Sequence, residues 1–180
     1  SSAASDVYKR QQIEMPVIIN IETSASACSV ALSVDSSVEW NALEQEPMNQ
    51  ATRLAPFVAR AMEELTRREL KLDAVAVSIG PGSYTGLRIG MSLAKGLAFS
   101  TDVPLIGVET LKLIAVKGMF RNLNFTGEEI LVPMVDARRM EVYTAAYDFR
   151  LDAVMEPQAL IVKPESFDDI APGRQLWFMG

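Results

Sequence analysis

PVIINIETSASACSVALSVDSSVEWNAL, Pro16 to Leu43, decides the fold. It divides into three short β-rich runs, VIINIE (Val17–Glu22), CSVALSV (Cys28–Val34) and VEWNAL (Val38–Leu43), separated by Ser- and Asp-containing turns. That pattern reads as a three-stranded meander. Downstream the period changes. In NQATRLAPFVARAMEELTRREL (Asn49–Leu70) the apolar Leu54, Val58, Met62 and Leu65 recur at helical spacing, and Pro56 is tolerable if it falls in the first turn, where N–H groups have no partner. LDAVAVSIG (Leu72–Gly80) is a continuous apolar run, as a buried central strand should be. GPGSYTGLRIGMSLAKGLAFS (Gly80–Ser100) gives a glycine turn and a second helix, VPLIGV (Val103–Val108) another buried strand, and TLKLIAVKGMF (Thr110–Phe120) a third helix that Thr110 is placed to cap.

The resulting order, β-β-β-α-β-α-β-α, continues an antiparallel meander with parallel strands and crossover helices, which is the order of a ribonuclease H-like unit. A second round begins with EILVPMVDA (Glu129–Ala137), MEVYTAAYD (Met140–Asp148) and ALIVK (Ala159–Lys163), then PESFDDIA (Pro164–Ala171) as a short helix and QLWFMG (Gln175–Gly180) as a strand. The expected class is therefore α/β, two ribonuclease H-like lobes with the second truncated: residues 13–121 form the first lobe and 122–180 an incomplete second one. Residues 1–12 are polar, lack hydrophobic periodicity and read as a disordered or artefactual leader outside the fold.

Composition bounds the chemistry. The 180 residues are 49% hydrophobic and 22% charged, without an apolar run long enough to span a bilayer, and a single cysteine, Cys28, suggests no disulfide framework. A cytoplasmic protein with no membrane partner is expected. Seventeen basic against 23 acidic residues leave a net charge of −6, poorly suited to gripping a phosphate backbone unaided. There is no histidine, so the commonest general base and metal ligand are both missing from these residues.

The glycine turn is not a P-loop, because the spacing fails and no lysine follows its glycines. Amides at Ser83 to Gly86 could take an anion. The reading preferred from sequence is a tight turn with Gly80 and Gly82 at positive φ and Ser83 or Thr85 as cap. On the helix behind it, Gly86, Gly90, Ala94 and Ala98 fall at successive i+4 positions, a row almost free of bulk that another helix can approach closely. Packing on the chain's own sheet accounts for part of this row. Leu87, Met91 and Phe99 lie off it, which argues for an additional helical partner. In DARRMEVY (Asp136–Tyr143) the arginine pair beside Asp136 reads as a salt-bridged corner, and Cys28 as a small packing residue. Glu22, Glu109 and Asp136 end strands, and only their convergence would make a nuclease-type metal site.

Four ordered segments, INIETSASACSVAL (Ile19–Leu32), GPGSYTGLRIGMSLAKGLA (Gly80–Ala98), PLIGVETL (Pro104–Leu111) and MVDARRMEVYTAAY (Met134–Tyr147), resemble the TsaB (YeaZ) family of bacterial tRNA threonylcarbamoyladenosine synthesis. The likeness runs from about Pro16 to Gly180, within the actin, sugar kinase and Hsp70 superfamily. It implies a non-catalytic subunit that pairs with a TsaD-like catalytic subunit and works with a TsaE-like ATPase. ATP and a divalent metal are then expected on the partner subunits, with no cofactor or metal of the chain's own, and tRNA is reached only through the complex. The resemblance places the interface, with TsaD or with a second copy, on the first two helices: Leu54, Val58, Met62, Tyr84, Gly86, Leu87, Gly90, Met91, Ala94 and Ala98. A bulky residue at Gly90 would then block pairing. The turn ETSASAC has no glycine and reads as a polar hairpin at the sheet rim; a vestigial nucleotide contact through Thr23, Ser24, Ser26 or Ser83 is the alternative. The first helix also lacks the metal-binding histidines of TsaD-like proteins. An autonomous ATPase or small-molecule kinase is the rival reading.

Overall fold

The computed structural model describes residues 15–46, 49–121 and 125–180. The expected leader, 1–12, lies outside them.

Sheet one has the strand order β3-β2-β1-β4-β5. The meander β1 (Val17–Glu22), β2 (Cys28–Val34) and β3 (Ser37–Glu44) is antiparallel; β4 (Ala74–Gly80) and β5 (Leu105–Glu109) extend it in parallel. Period-two alternation sends Val17, Ile19 and Ile21 of β1 and Cys28, Val30 and Leu32 of β2 into one core. Helix α1 (Gln50–Arg67) seals that face with Leu54, Val58, Ala61 and Leu65, and α2 (Tyr84–Thr101) with Ala94 and Ala98. In β4 every residue from Ala74 to Ser78 is buried, as its unbroken apolar run requires.

Sheet two, order β8-β7-β6-β9, repeats the plan. Strands β6 (Ile130–Arg138), β7 (Glu141–Tyr147) and β8 (Ala153–Ile161) are antiparallel, and β9 (Leu176–Met179) joins β6 in parallel. The mixed α/β architecture with two ribonuclease H-like sheets is thus as expected. No helix among the described residues is long and apolar enough to cross a membrane.

Four local expectations are corrected. Pro164–Asp169 forms successive turns instead of a short helix, closed by i+3 bonds such as Ser166 N–H to the Lys163 carbonyl. Adjacent Asp168 and Asp169 would oppose the negative end of a helix there, and Phe167 and Ile170 are anchored in the core without one. Pro56 sits inside α1, well past its first turn. It is exposed, so the carbonyl its ring leaves unpaired can meet water. The hydroxyl of Thr110 is buried and has no hydrogen-bond partner, so Thr110 does not cap α3 (Thr110–Arg121). Finally, α3 does not close the first lobe alone. Its buried Leu111 and Ala115 pack with Leu131, Ala145 and Tyr147 of sheet two, so the helix bridges the lobes that the sequence divides after residue 121.

Candidate functional site

Two surfaces are candidates: the outer side of α2 and the cavity between the lobes. Ser83 opens α2, its hydroxyl accepting the Gly86 N–H at 3.2 Å. Gly80 and Gly82 take φ of +106° and +157°, so the tight-turn expectation holds. The glycines of the helix have a different reason. A Cβ on Gly86 would lie 2.2 Å from the Thr23 carbonyl oxygen, and one on Gly90 2.2 Å from Thr23 Oγ1. The two glycines are bare because Thr23, just past β1, is pressed against them, while Ala94 and Ala98 are buried in the core of sheet one.

This overturns much of the expected interface. Gly86, Gly90, Ala94 and Ala98 are buried against the chain's own sheet, and Leu54 and Val58 are core residues of α1. All six are buried within this chain's own first lobe. Of the remaining four, Tyr84 is exposed, while Met62, Leu87 and Met91 are half-buried. The opposite side of α2 is what solvent sees: Tyr84 is 75% and Phe99 91% exposed, with Arg88 reaching back over the Tyr84 ring at 5.2 Å. Ile79 completes this ridge, lining a shallow hollow with Tyr84, Leu87 and Met91. Sequence reading placed Ile79 in a buried strand because β4 is apolar throughout. Its signal was its position, last before the glycine turn, where the covering helix has only begun.

Of the charges on α1, Arg53, Arg60 and Arg67 are exposed and Glu64 and Arg68 half-buried. Arg53 pairs with Glu44, Arg67 with Glu64, and Arg68 with both Glu39 and Glu64, while Arg60 stacks on Trp40. Hydrogen bonding by Arg67 holds the Glu64 carboxyl below its usual range.

Between the lobes lies a cavity of about 1070 Å³, walled by Ser24, Ser26, Gln50 and the α2 start on one side and by Asp136, Arg138 and Tyr143 on the other. Gln50 secures the β1–β2 turn by donating its amide to the Ala25 and Ser26 carbonyls. The Ser83 N–H donates to the Ser24 carbonyl at 2.7 Å, so of the expected nucleotide contacts Ser24 and Ser83 are brought together at the cavity. Thr23 is not, being fully buried beneath Gly90. The same device ends the first strand of both lobes: Glu22 accepts the Ser24 N–H at 2.6 Å, and Asp136 the Arg138 N–H at 2.8 Å. The expected salt-bridged corner is therefore a main-chain contact, since the Asp136 carboxylate takes an N–H and not a guanidinium. Glu22 and Asp136 both line a second, largely apolar hollow of about 620 Å³, whereas Glu109 pairs with Lys112. Among the described residues no group of three or more His, Cys, Asp or Glu could hold a metal ion. Cys28 is buried, and burial, helped by the charge of Glu44, pushes its thiol pKa up, as expected of a packing residue.

Comparison with known proteins follows the same outline. Residues 48–171 match the family model described as TsaD, tRNA N6-adenosine threonylcarbamoyltransferase. The tRNA threonylcarbamoyladenosine biosynthesis protein TsaB of Escherichia coli (strain K12) is 35% identical over 150 residues, covering 82% of this chain and 63% of the relative. TsaB of Bacillus subtilis (strain 168) is 35% identical over 133 residues, 74% of this chain and 56% of the relative. The chain thus spans about three-fifths of the length of these curated relatives. The solved structure of YeaZ from Pseudomonas aeruginosa superposes with a TM-score of 0.66 at 29% identity, over 84% of this chain and 69% of that one.

Proposed function

The chain belongs to the TsaB (YeaZ) family, and from that membership we propose that it is a non-catalytic subunit in the synthesis of threonylcarbamoyladenosine in tRNA, acting by pairing with a TsaD-like catalytic subunit. The observation that carries this reading is the ridge of α2. A helix whose inner side is locked into its own core presents Tyr84 and Phe99 to solvent, beside half-buried Leu87 and Met91 and half-exposed Ile79. Apolar side chains grouped on one helix suit a helical partner that would remove them from water.

The division of labour is taken from the family resemblance, and the residues of this chain are compatible with it. The resemblance assigns bond-making groups, ATP and a divalent metal to the TsaD-like subunit and a TsaE-like ATPase, and these residues bring no histidine and one buried thiol. The acidic balance fits a protein that reaches tRNA through the complex, in the cytoplasm. A second copy would compete for the same ridge. The test is reconstitution: TsaD-like and TsaE-like subunits with tRNA, ATP, magnesium and a preformed threonylcarbamoyl adenylate as donor should yield modified adenosine only when this chain is added. Full modification without it, or ATP turnover by the purified chain alone, would overturn the reading in favour of an autonomous enzyme.

A further inference from the structure

We propose that Arg88 and Lys95 make the outer side of α2 selective for an acidic helix, so that the helix the TsaD-like subunit lays there presents a carboxylate to each of them. The inference rests on the pairing proposed above and adds the chemistry of the partner's surface. The 18 residues of α2 include no aspartate or glutamate. Its two charges are both positive, in a chain of net charge −6. At about 100° per residue, Tyr84, Arg88, Lys95 and Phe99 fall within about 60° of one another around the helix, and all four are exposed. One row therefore runs aromatic, cation, cation, aromatic.

Neither cation has an ion-pair partner among the described residues, whereas Arg53, Arg67, Arg68 and Lys112 do. Arg88 is held in place all the same. Its guanidinium lies 5.2 Å from the centre of the Tyr84 ring, and Nη1 donates to the Tyr84 hydroxyl at 3.3 Å. It stands between two largely apolar depressions: the hollow at Ile79 and Met91, and a groove of about 590 Å³ between α1 and α2 walled by Ala51, Ala55 and Leu93. The small side chains of that wall, and a Gly96 whose added Cβ would meet nothing within 4 Å, admit a third helix. A helix seated there covers Arg88, and a guanidinium covered without a counter-charge opposes binding. A carboxylate on the incoming helix makes the same contact favourable. Lys95 lies two turns further on, about 10 Å along the axis, so an acidic residue seven positions from the first would meet it. A second copy laying its own α2 on this row would bring cations onto cations, which selects against it.

Association of the whole chain with the TsaD-like subunit, followed by analytical ultracentrifugation, tests this with the variants Arg88→Gln/Lys95→Gln and Arg88→Glu/Lys95→Glu. Both positions are exposed, so thermal unfolding of the variants should match the parent. The neutral variant should pair at least about tenfold more weakly and the reversed one at least about 100-fold. Raising salt from about 0.05 to about 0.5 M should weaken pairing of the parent severalfold and leave that of the neutral variant nearly unchanged. Changing acidic residues of the partner's docking helix to lysine, one at a time, should find one that restores pairing to Arg88→Glu; failure of every such change overturns the carboxylate assignment. Pairing indifferent to charge at both positions overturns the inference, and if Tyr84→Glu/Phe99→Glu still abolishes pairing, the proposed function stands without it. No pairing by the parent overturns both. Self-association of the parent as tight as its pairing with the TsaD-like subunit would make a second copy the occupant and overturn the inference equally.

Discussion

A methyl group added at Gly90 would strike Thr23, whereas one added at Gly96 of the same helix would meet nothing within 4 Å. Both glycines carry the same helix-propensity penalty of about 1 kcal/mol, so only the surroundings separate them. Gly90→Ala should lower unfolding free energy by about 1–2 kcal/mol, the overpacking exceeding the propensity gain, and Gly96→Ala should raise it by about 0.5–1 kcal/mol. Urea unfolding of the two variants checks this; midpoints that shift in the same direction would show that Thr23 does not seat α2. Tyr147 makes a second residue-scale case. Its ring is fully buried, and burial, followed by Glu109 and Glu156, pushes the phenol pKa up to about 12 from an ordinary 10.0. The unfolded chain therefore deprotonates first: the contribution to stability is complete below pH 10 and disappears as pH rises towards 12. Since the hydroxyl has no partner, Tyr147→Phe should leave stability at pH 7 within about 1 kcal/mol and flatten this alkaline loss, as followed by chemical denaturation at several pH values.

At the scale of elements, regular patterns were legible and close approaches were not. The alternation in β1 and β2 and the unbroken run of β4 mark which faces are covered, because burial repeats with the strand period. The row of small residues on α2 was visible as a row, but a sequence cannot say whether the neighbour it admits is its own β1 or another chain. Here it is β1. Nor could spacing reveal that Ser24 and Ser83, far apart in the chain, meet through a main-chain hydrogen bond. The turn before β6 is similar. Glu129 folds back to accept N–H groups of Thr126 and Gly127 and the Thr126 hydroxyl, and the Thr126 bond chiefly holds its carboxyl below the usual range. A lowered folded-state pKa means stability present above the ordinary value of 4.5 and lost as pH falls through the folded value. Glu129→Gln should reduce the steepness of acid unfolding below pH 4.5, and an unchanged acid limb would count against the turn as an acid-sensitive element.

Across the whole molecule, two copies of one strand plan enclose a cavity, and a bridging helix, α3, ties their cores together. The inner sides of α1 and α2 are packed into the first lobe's core, and Tyr84, Phe99 and Ile79 are among the large apolar side chains that stay exposed. If the proposed pairing uses this ridge, partner binding and folding are separable, because Tyr84 and Phe99 lie outside the core. The most direct measurement is association of a TsaD-like subunit with the Tyr84→Glu/Phe99→Glu double variant, compared with the unaltered chain by analytical ultracentrifugation. Both substitutions fall on exposed positions, so the variant should unfold at the same temperature as the parent. Pairing is expected to weaken at least about 100-fold, as befits two aromatic anchors replaced by charge. Undiminished pairing by a folded double variant would contradict the proposal that this chain works through the outer ridge of α2.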